Sequence, residues 1–343
     1  MGSTINDIAR LANVSKATVS RVINNKSEGV GEETKKKILR IIAELNYQPS
    51  LIARGLVTKR TNSLGLVIPD IANPFFPQLA RGAEDTALQY GYNLFLCNSD
   101  NSLEKEEKYL RAFIEKSVDG VILASSMSKS AFQCQMLKEA QIPYVLLDRY
   151  IEGSEPGMGV FLDNRAGAYR ATDYLLKNGH RRIAFISGPF ALMTGWHRFQ
   201  GFQMAHCDQG VEMDYNLIRE GDYQFASGKE LIEQLLDAGE SFSAVFAGND
   251  MMAIGAYKAL KQHRISVPEE VEIIGFDNIE LASLIEPALS TVAQPTYEMG
   301  VLGAEMLIRV IEGQTVPEKS IYLKPELLLR ETTRPGTAAV ANG

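Results

Sequence analysis

The chain has 343 residues, 45% hydrophobic and 22% charged, which excludes a disordered or low-complexity polymer and points to two or three domains rather than one core. Its net charge of −7 argues by itself against nucleic acid, yet the charge is split: residues 1–60 carry eleven Lys and Arg against five acids, a net of +6, leaving −13 for the rest. No apolar run approaches the ~18 residues of a membrane span and no apolar signal core opens the chain, so a cytoplasmic protein is expected.

Residues 4–24, TINDIARLANVSKATVSRVIN, read as two short helices joined by a three-residue turn. Ile5, Ile8, Ala9 and Ala12 recur at the spacing of one buried helix face. Thr4 with Asp7 resembles a capping box, and Asn13 suits the left-handed reversal between helices. Val14 can bury as the turn's apolar plug. Ser15 is a good N-cap for a second helix that turns Val19, Val22 and Ile23 inward. Its outward face holds Lys16, Ala17, Ser20 and Arg21, flanked by Thr18, small and cationic groups suited to a DNA major groove. An ordinary surface helical hairpin shows the same pattern, and a solvated face at Lys35, Lys36 and Lys37 accounts for part of the basic charge.

Residues 25–31 (NKSEGVG) form a loop, and a third helix follows with Ile38, Leu39, Ile42 and Leu45 inward. Pro49 ends any helix before it and can open another. Residues 51–56, LIARGL, are a helix candidate too short to stand alone and further weakened by Gly55, so DNA or a second copy must hold it; a plain interdomain linker is the alternative.

From residue 64 the pattern changes. Apolar strand runs at 64–68, 93–97, 120–124 and 143–147 alternate with helices at 78–90, 104–116 and 130–140. A second series places strands at 159–162, 182–187, 244–247, 271–276 and 290–293 among helices at 165–178, 198–209, 227–236, 250–262 and 297–312. This predicts two α/β lobes with parallel, doubly wound sheets.

Ligands of such sheets bind past the carboxyl ends of the strands. There stand Asp70, Asn73, Phe75 and Phe76, then Asp148 and Arg149, a loop with Trp196 and Arg198, Tyr223, Asn249 and Asp250, Asp277 and Asn278, and Gln294. Planar polar groups suit adjacent hydroxyls, and flat aromatic faces suit the C–H faces of a sugar. Asp250 and Asn278 serve equally well as helix N-caps. There is no GxSxG, P-loop or GxGxxG motif, and each carboxylate lies beside a natural hydroxyl-binding partner, so no enzyme and no catalytic residue is expected. Cys97, Cys134 and Cys207 lack a CxxC pair, and the four histidines lack zinc-ligand spacing, so neither a metal nor a cofactor is expected.

The motifs TINDIARLANVSKATVSRVIN, NYQPSLIARGL, NPFF, LDR, GND and GFDN, in this order over about residues 4–330, resemble the lactose/galactose repressor (LacI/GalR) family. Residues 64–330 also look like periplasmic pentose-binding proteins. The resemblance implies an all-α helix-turn-helix head at 1–48, a hinge helix and linker at 49–60, and a two-lobed α/β effector-binding and dimerisation domain at 61–334. Its lobes would comprise about 61–161 with 293–322, and 162–290 with 323–334. It implies a repressor that binds pseudo-palindromic operator DNA as a homodimer and is controlled by a small sugar. Lys16, Ala17 and Arg21 match base-reading positions. Ser15, Thr18 and Asn24 match backbone- or base-contacting ones, Thr4 and Ala53 complete the DNA-facing set, and Leu56 is the minor-groove wedge. Gly31 and Gly55 depart from common family choices. Asn73, Phe75, Phe76, Asp148, Arg149, Arg198, Tyr223, Asn249, Asp277 and Gln294 match the pocket of ribose-binding proteins. Residues 278–294, with IELAS and TVAQP, also resemble ribose repressors. Trp196, included in the effector set, and His197 depart from the small residues expected beside Arg198. Another pentose, a ketose or a sugar acid therefore stays open, as does control by a phosphocarrier protein, as in the carbon-catabolite branch of the family.

Overall fold

A computed structural model describes residues 4–23, 28–47, 60–124, 131–149 and 157–335. Asn24, Ala53, Leu56 and the whole hinge segment lie outside the described residues. The chain divides into two units, Met1–Thr61 and Asn62–Gly343.

The described residues of the first unit form three helices: α1 Ile5–Ala12, α2 Lys16–Ile23 and α3 Glu32–Glu44. Thr4 Oγ1 accepts the Asp7 amide at 3.4 Å, and Asp7 Oδ2 accepts the Thr4 amide at 3.0 Å, which makes the capping box reciprocal. Asn13 adopts φ 56° and ends α1. Ser15 Oγ then caps α2 by accepting the Thr18 amide at 3.1 Å. Ile8, Ala9, Ala12, Val19, Val22, Ile38 and Ile41 form the core, with Val14, Ile23, Ile42 and Leu45 packed around it. Leu39 is exposed, contrary to the sequence reading. The buried face of α3 runs through 38, 41, 42 and 45, and a residue one step from Ile38 lies about 100° off that stripe.

The second unit contains two six-stranded sheets. The first holds β1 Ser63–Ile68, β2 Asn93–Asn98, β3 Gly120–Leu123, β4 Tyr144–Leu147, β5 Gly159–Leu162 and β11 Ser320–Leu323 in the order β11-β5-β4-β3-β1-β2, all parallel. Its sequence-local helices are α4 Phe75–Gln89, α5 Leu103–Glu115 and α6 Ala131–Glu139. The second sheet holds β6 Ile183–Ser187, β7 Ile218–Glu220, β8 Ala244–Ala247, β9 Glu272–Asp277, β10 Ser290–Ala293 and β12 Glu326–Leu328 in the order β12-β10-β9-β8-β6-β7. Only β12 runs antiparallel there. With it come α7 Asn164–Lys177, α8 Met193–Asp208, α9 Phe225–Asp237, α10 Asp250–Gln262 and α11 Leu281–Leu284. Helix α12, Thr296–Ile311, returns to the first sheet and packs on β3, β4 and β5. The chain thus passes between the sheets three times, after β5, after β10 and after β11.

Strands β7, β11 and β12 and helix α11 escape the sequence reading because each is short and, unlike the equally short β3 and β8, none carries a continuous, buried apolar run. Helix α8 begins at 193 rather than 198, since its first turn, Met-Thr-Gly-Trp, is weak in helix propensity.

Three helix pairs cross in backbone contact: α4 with α12, α7 with α8, and α9 with α10. Glycines permit it. A Cβ on Gly82 would stand 2.1 Å from the Tyr297 carbonyl oxygen, and one on Gly300 2.1 Å from that of Leu79. Gly201 meets Arg165 O at 2.3 Å, while Gly228 meets Met252 O and Gly255 meets Phe225 O, each at 2.2 Å.

Candidate functional site

Between the two lobes of the second unit lies a cavity lined by Asn73, Phe75, Phe76, Asp148, Arg149, Thr194, Arg198, Tyr223, Asp277 and Gln294, none more than 9% exposed. The space open between its walls is only about 20 Å³. The first lobe supplies Asn73 and the phenylalanines at the start of α4, with Asp148 and Arg149 after β4. The second supplies Thr194 and Arg198 from α8, Tyr223 before α9 and Asp277 at the end of β9; Gln294 follows β10. Across the lobes Gln224 donates Nε2 to Asp70 Oδ2 at 2.7 Å.

Arg198 is held on several sides. Its Nε donates to Asn164 Oδ1 at 2.8 Å, Nη1 to the Gly248 carbonyl, and Nη2 lies 3.7 Å from Asp277 Oδ1. The guanidinium sits 3.7 Å over the Phe276 ring. Gln294 Nε2 donates to Asp277 Oδ1 at 2.7 Å. Burial raises the Asp277 carboxyl to about 7 despite Arg198. Burial also raises Asp148, against the pull of Arg149 and Arg198.

Behind the wall, Asp250 accepts the Thr291 hydroxyl at 2.6 Å and the Ile279 amide at 2.9 Å, fixing the turn that carries Asp277. Burial and the neighbouring Asp277 push its carboxyl well up. Asp148 from the first lobe and Tyr223 and Asp277 from the second hold φ of 62°, 70° and 112°, values unusual for residues with a Cβ. Two buried acceptors in the lining, Asp148 Oδ1 and Gln294 Oε1, have no hydrogen-bond partner among the described residues.

The structure brings together nine of the eleven residues expected from the sequence. Trp196 stands apart. Because α8 starts early, Thr194 and Arg198 share the cavity face four residues apart, while the residue between them points away. Trp196 packs on Phe190 and Phe199 and is 39% exposed. Asn249 is buried, but both ends of its amide are engaged: Oδ1 caps α10 through the Met252 amide, and Nδ2 donates to the Tyr223 carbonyl, each at 2.9 Å. It holds Tyr223 rather than lining the cavity. Thr194 was missed by the sequence reading; its hydroxyl lies 3.0 Å from that of Tyr223, and the signal was its i, i+4 spacing from Arg198. Among the described residues, no three His, Cys, Asp or Glu are grouped to hold a metal ion, and no helix is long and apolar enough to cross a membrane.

In the head, Lys16, Ala17 and Arg21 project from α2 into solvent, Ser20 and Thr18 are half-buried, and Thr4 and Ser15 are exposed at the two caps. This is a small, basic, convex face.

Residues 4–50 match the bacterial regulatory proteins of the lacI family, and residues 61–325 match the periplasmic binding proteins and sugar-binding domain of the LacI family. The Ribose operon repressor of Halalkalibacterium halodurans is 40% identical over 97% of this chain and 98% of its own. The crystal structure of the lac repressor dimer bound to operator and the anti-inducer ONPF aligns with a TM-score of 0.86 at 25% identity, over 97% of this chain and 99% of that one. A LacI family transcriptional regulator from Enterococcus faecium with bound ribose aligns with a TM-score of 0.70 at 32% identity, over 80% and 99%. These relatives are named as regulators, not enzymes. A basic helix-turn-helix unit joined to a two-lobed sugar-binding fold, matched along almost its full length, is what makes this chain a member of the LacI family of transcriptional repressors.

Proposed function

We propose that the cavity takes one small neutral sugar of about pentose size, with ribose the first candidate, and that its binding alters operator affinity by changing the angle between the lobes. The observation that carries this is the pair of partnerless buried acceptors, Asp148 Oδ1 and Gln294 Oε1, beside Phe75, Phe76 and Tyr223. Buried acceptors without donors call for hydroxyl groups. The two aspartates and two arginines of the lining supply acceptors and donors for adjacent hydroxyls. With only about 20 Å³ open between its walls, about one water's room, the cavity admits a sugar ring only as the lobes move apart, which links occupancy to the lobe angle. The ribose-bound neighbour supports the same class. A sugar that prefers one lobe arrangement must weaken DNA that prefers the other.

On the DNA side, Lys16, Ala17 and Arg21 read base edges in the major groove, Ser15, Thr18 and Asn24 contact the backbone or bases, Thr4 faces the DNA, and residues 49–60 form the hinge and linker, with Ala53 and Leu56 toward the DNA and Leu56 the minor-groove wedge. The head is 1–48 and the effector domain 61–334. Two copies pair, and the exposed edge strand β2, with Phe95 and Leu96 uncovered, offers an apolar surface for it. The protein acts in the cytoplasm.

A thermal-shift panel of pentoses, hexoses and sugar acids, with operator affinity measured on DNA selected from a random pool, tests the reading. At least one sugar is expected to raise the melting temperature and change operator affinity. If none did either, and a phosphocarrier protein were captured instead, control by a partner would replace it.

A pH dependence follows from Asp277. Its raised pKa means the folded, empty domain keeps a proton that the unfolded chain loses near pH 4, so this group's contribution to stability fades as pH rises toward about 7. A sugar hydroxyl donating to the carboxylate needs that proton gone. Ribose affinity should therefore climb by up to about tenfold per pH unit below pH 7 and level off above it. Calorimetry on the wild type and Asp277→Asn checks this; an equal slope in both would refute it.

A further inference from the structure

Arg198 reaches the cavity from α8, but its orientation is set from elsewhere. Asn164 is 3% exposed and is the first residue of α7, immediately past the first passage between the sheets. Its Oδ1 accepts Arg198 Nε at 2.8 Å, and its Nδ2 donates to the carbonyl of Leu162, the last residue of β5, at 3.3 Å. One amide thus bonds forward into the second lobe and back to the end of a strand in the first. Gly248, Asp277 and Phe276, which also hold the guanidinium, belong to the second lobe, while Asp148 of the first lobe feels its charge without a direct bond to it.

We infer that Asn164 is a positioning residue for effector recognition: it fixes the plane of the Arg198 guanidinium in the cavity and ties that plane to the segment joining the lobes. This rests on the sugar reading of the same cavity. Nε–H and one Nη1–H are spent on Asn164 and Gly248, so the remaining N–H groups project toward Asp277 and the space a ligand occupies. A neutral amide does this without adding a further charge to a lining that already holds two aspartates and two arginines. A change of lobe angle that moves the end of β5 is felt at Asn164 and so at Arg198, a short mechanical link between hinge and ligand.

The test compares two isosteric variants of the full-length protein, Asn164→Leu and Asn164→Asp. Both lose the donor to Leu162, and only the aspartate keeps an acceptor for Arg198. With D-ribose as probe, Asn164→Leu should bind about 10- to 100-fold more weakly, the range for leaving a charged buried donor unpaired. Asn164→Asp, which keeps the acceptor and loses only the bond to Leu162, should lose clearly less than Asn164→Leu. A second readout needs no sugar. The Arg198 Nε–Hε NMR resonance, identified by its loss in Arg198→Lys, should be protected from water exchange in the wild type and in Asn164→Asp, and should shift and exchange faster in Asn164→Leu. Equal ribose affinity in all three proteins, equal losses in both variants, or an unmoved resonance in Asn164→Leu would each overturn the inference. If the wild type binds no sugar at all, the sugar reading fails, and the resonance alone decides the role of Asn164.

Discussion

Replacing Arg198 by methionine is expected to weaken D-ribose binding by about 10- to 100-fold, because hydrogen bonds from a charged donor to a neutral partner are worth about 1.5–3 kcal/mol. The side chain is 3% exposed and offers its last free N–H groups to the cavity, and methionine fills similar space without donors. The empty domain is also expected to lose stability, by about 3–5 kcal/mol for a buried pair broken on one side. Asp277 moderates that loss. Its pKa is already about 7 and Arg198 is its chief counter-charge, so in the variant it keeps its proton to higher pH. The deficit in melting temperature should thus be larger at pH 8.5 than at pH 6. Ribose binding within threefold of wild type would remove Arg198 from the effector site.

Gly300→Ala is expected to be the most damaging single methyl group in the body. The new Cβ would stand 2.1 Å from the Leu79 carbonyl oxygen and 2.8 Å from the Ala83 amide nitrogen, both backbone atoms of α4 that cannot rotate away. Alanine gains up to about 1 kcal/mol of helix propensity, but overpacking costs about 3 kcal/mol or more when backbone must shift. A drop in melting temperature of roughly 5–10 °C is expected for a domain of this size. Gly157→Ala, with nothing within 4 Å of its Cβ and no positive φ, is the control and should be silent. Equal melting of the two variants would show that the crossing has slack. Calorimetry of the isolated transitions decides it.

The contrast between these two positions marks what a sequence discloses. Arg198 was legible because polar residues at strand ends converge by topology, and the same logic found Asp148, Tyr223, Asp277 and Gln294. The crossing at Gly300 was not, since its partner Leu79 is remote in sequence and nothing local signals the approach. Trp196 stands off the cavity for a local reason: a first helical turn of poor formers hid the start of α8, so a residue read as part of a loop is instead fixed on the helix and packs on Phe190 and Phe199. Asn249 was found as a polar group at the right place, but its two hydrogen bonds show it spent on capping and on Tyr223. Asn164 could not be singled out, because an Asn beside an Asp at a helix start reads as one more cap.

The left-handed backbone at Asp148, Tyr223 and Asp277 bears on how such a regulator acquires new effectors. β-branched residues are nearly barred from those three positions, which narrows the side chains that drift can sample there. Phe75, Phe76 and Thr194 stand on regular helix and accept almost any replacement without backbone penalty. Retuning toward a larger or methylated sugar therefore has an easy route through the helical wall and a narrow one through the strand-end wall. The polar half of the cavity is conservative by geometry, and the apolar half is where its specificity can evolve.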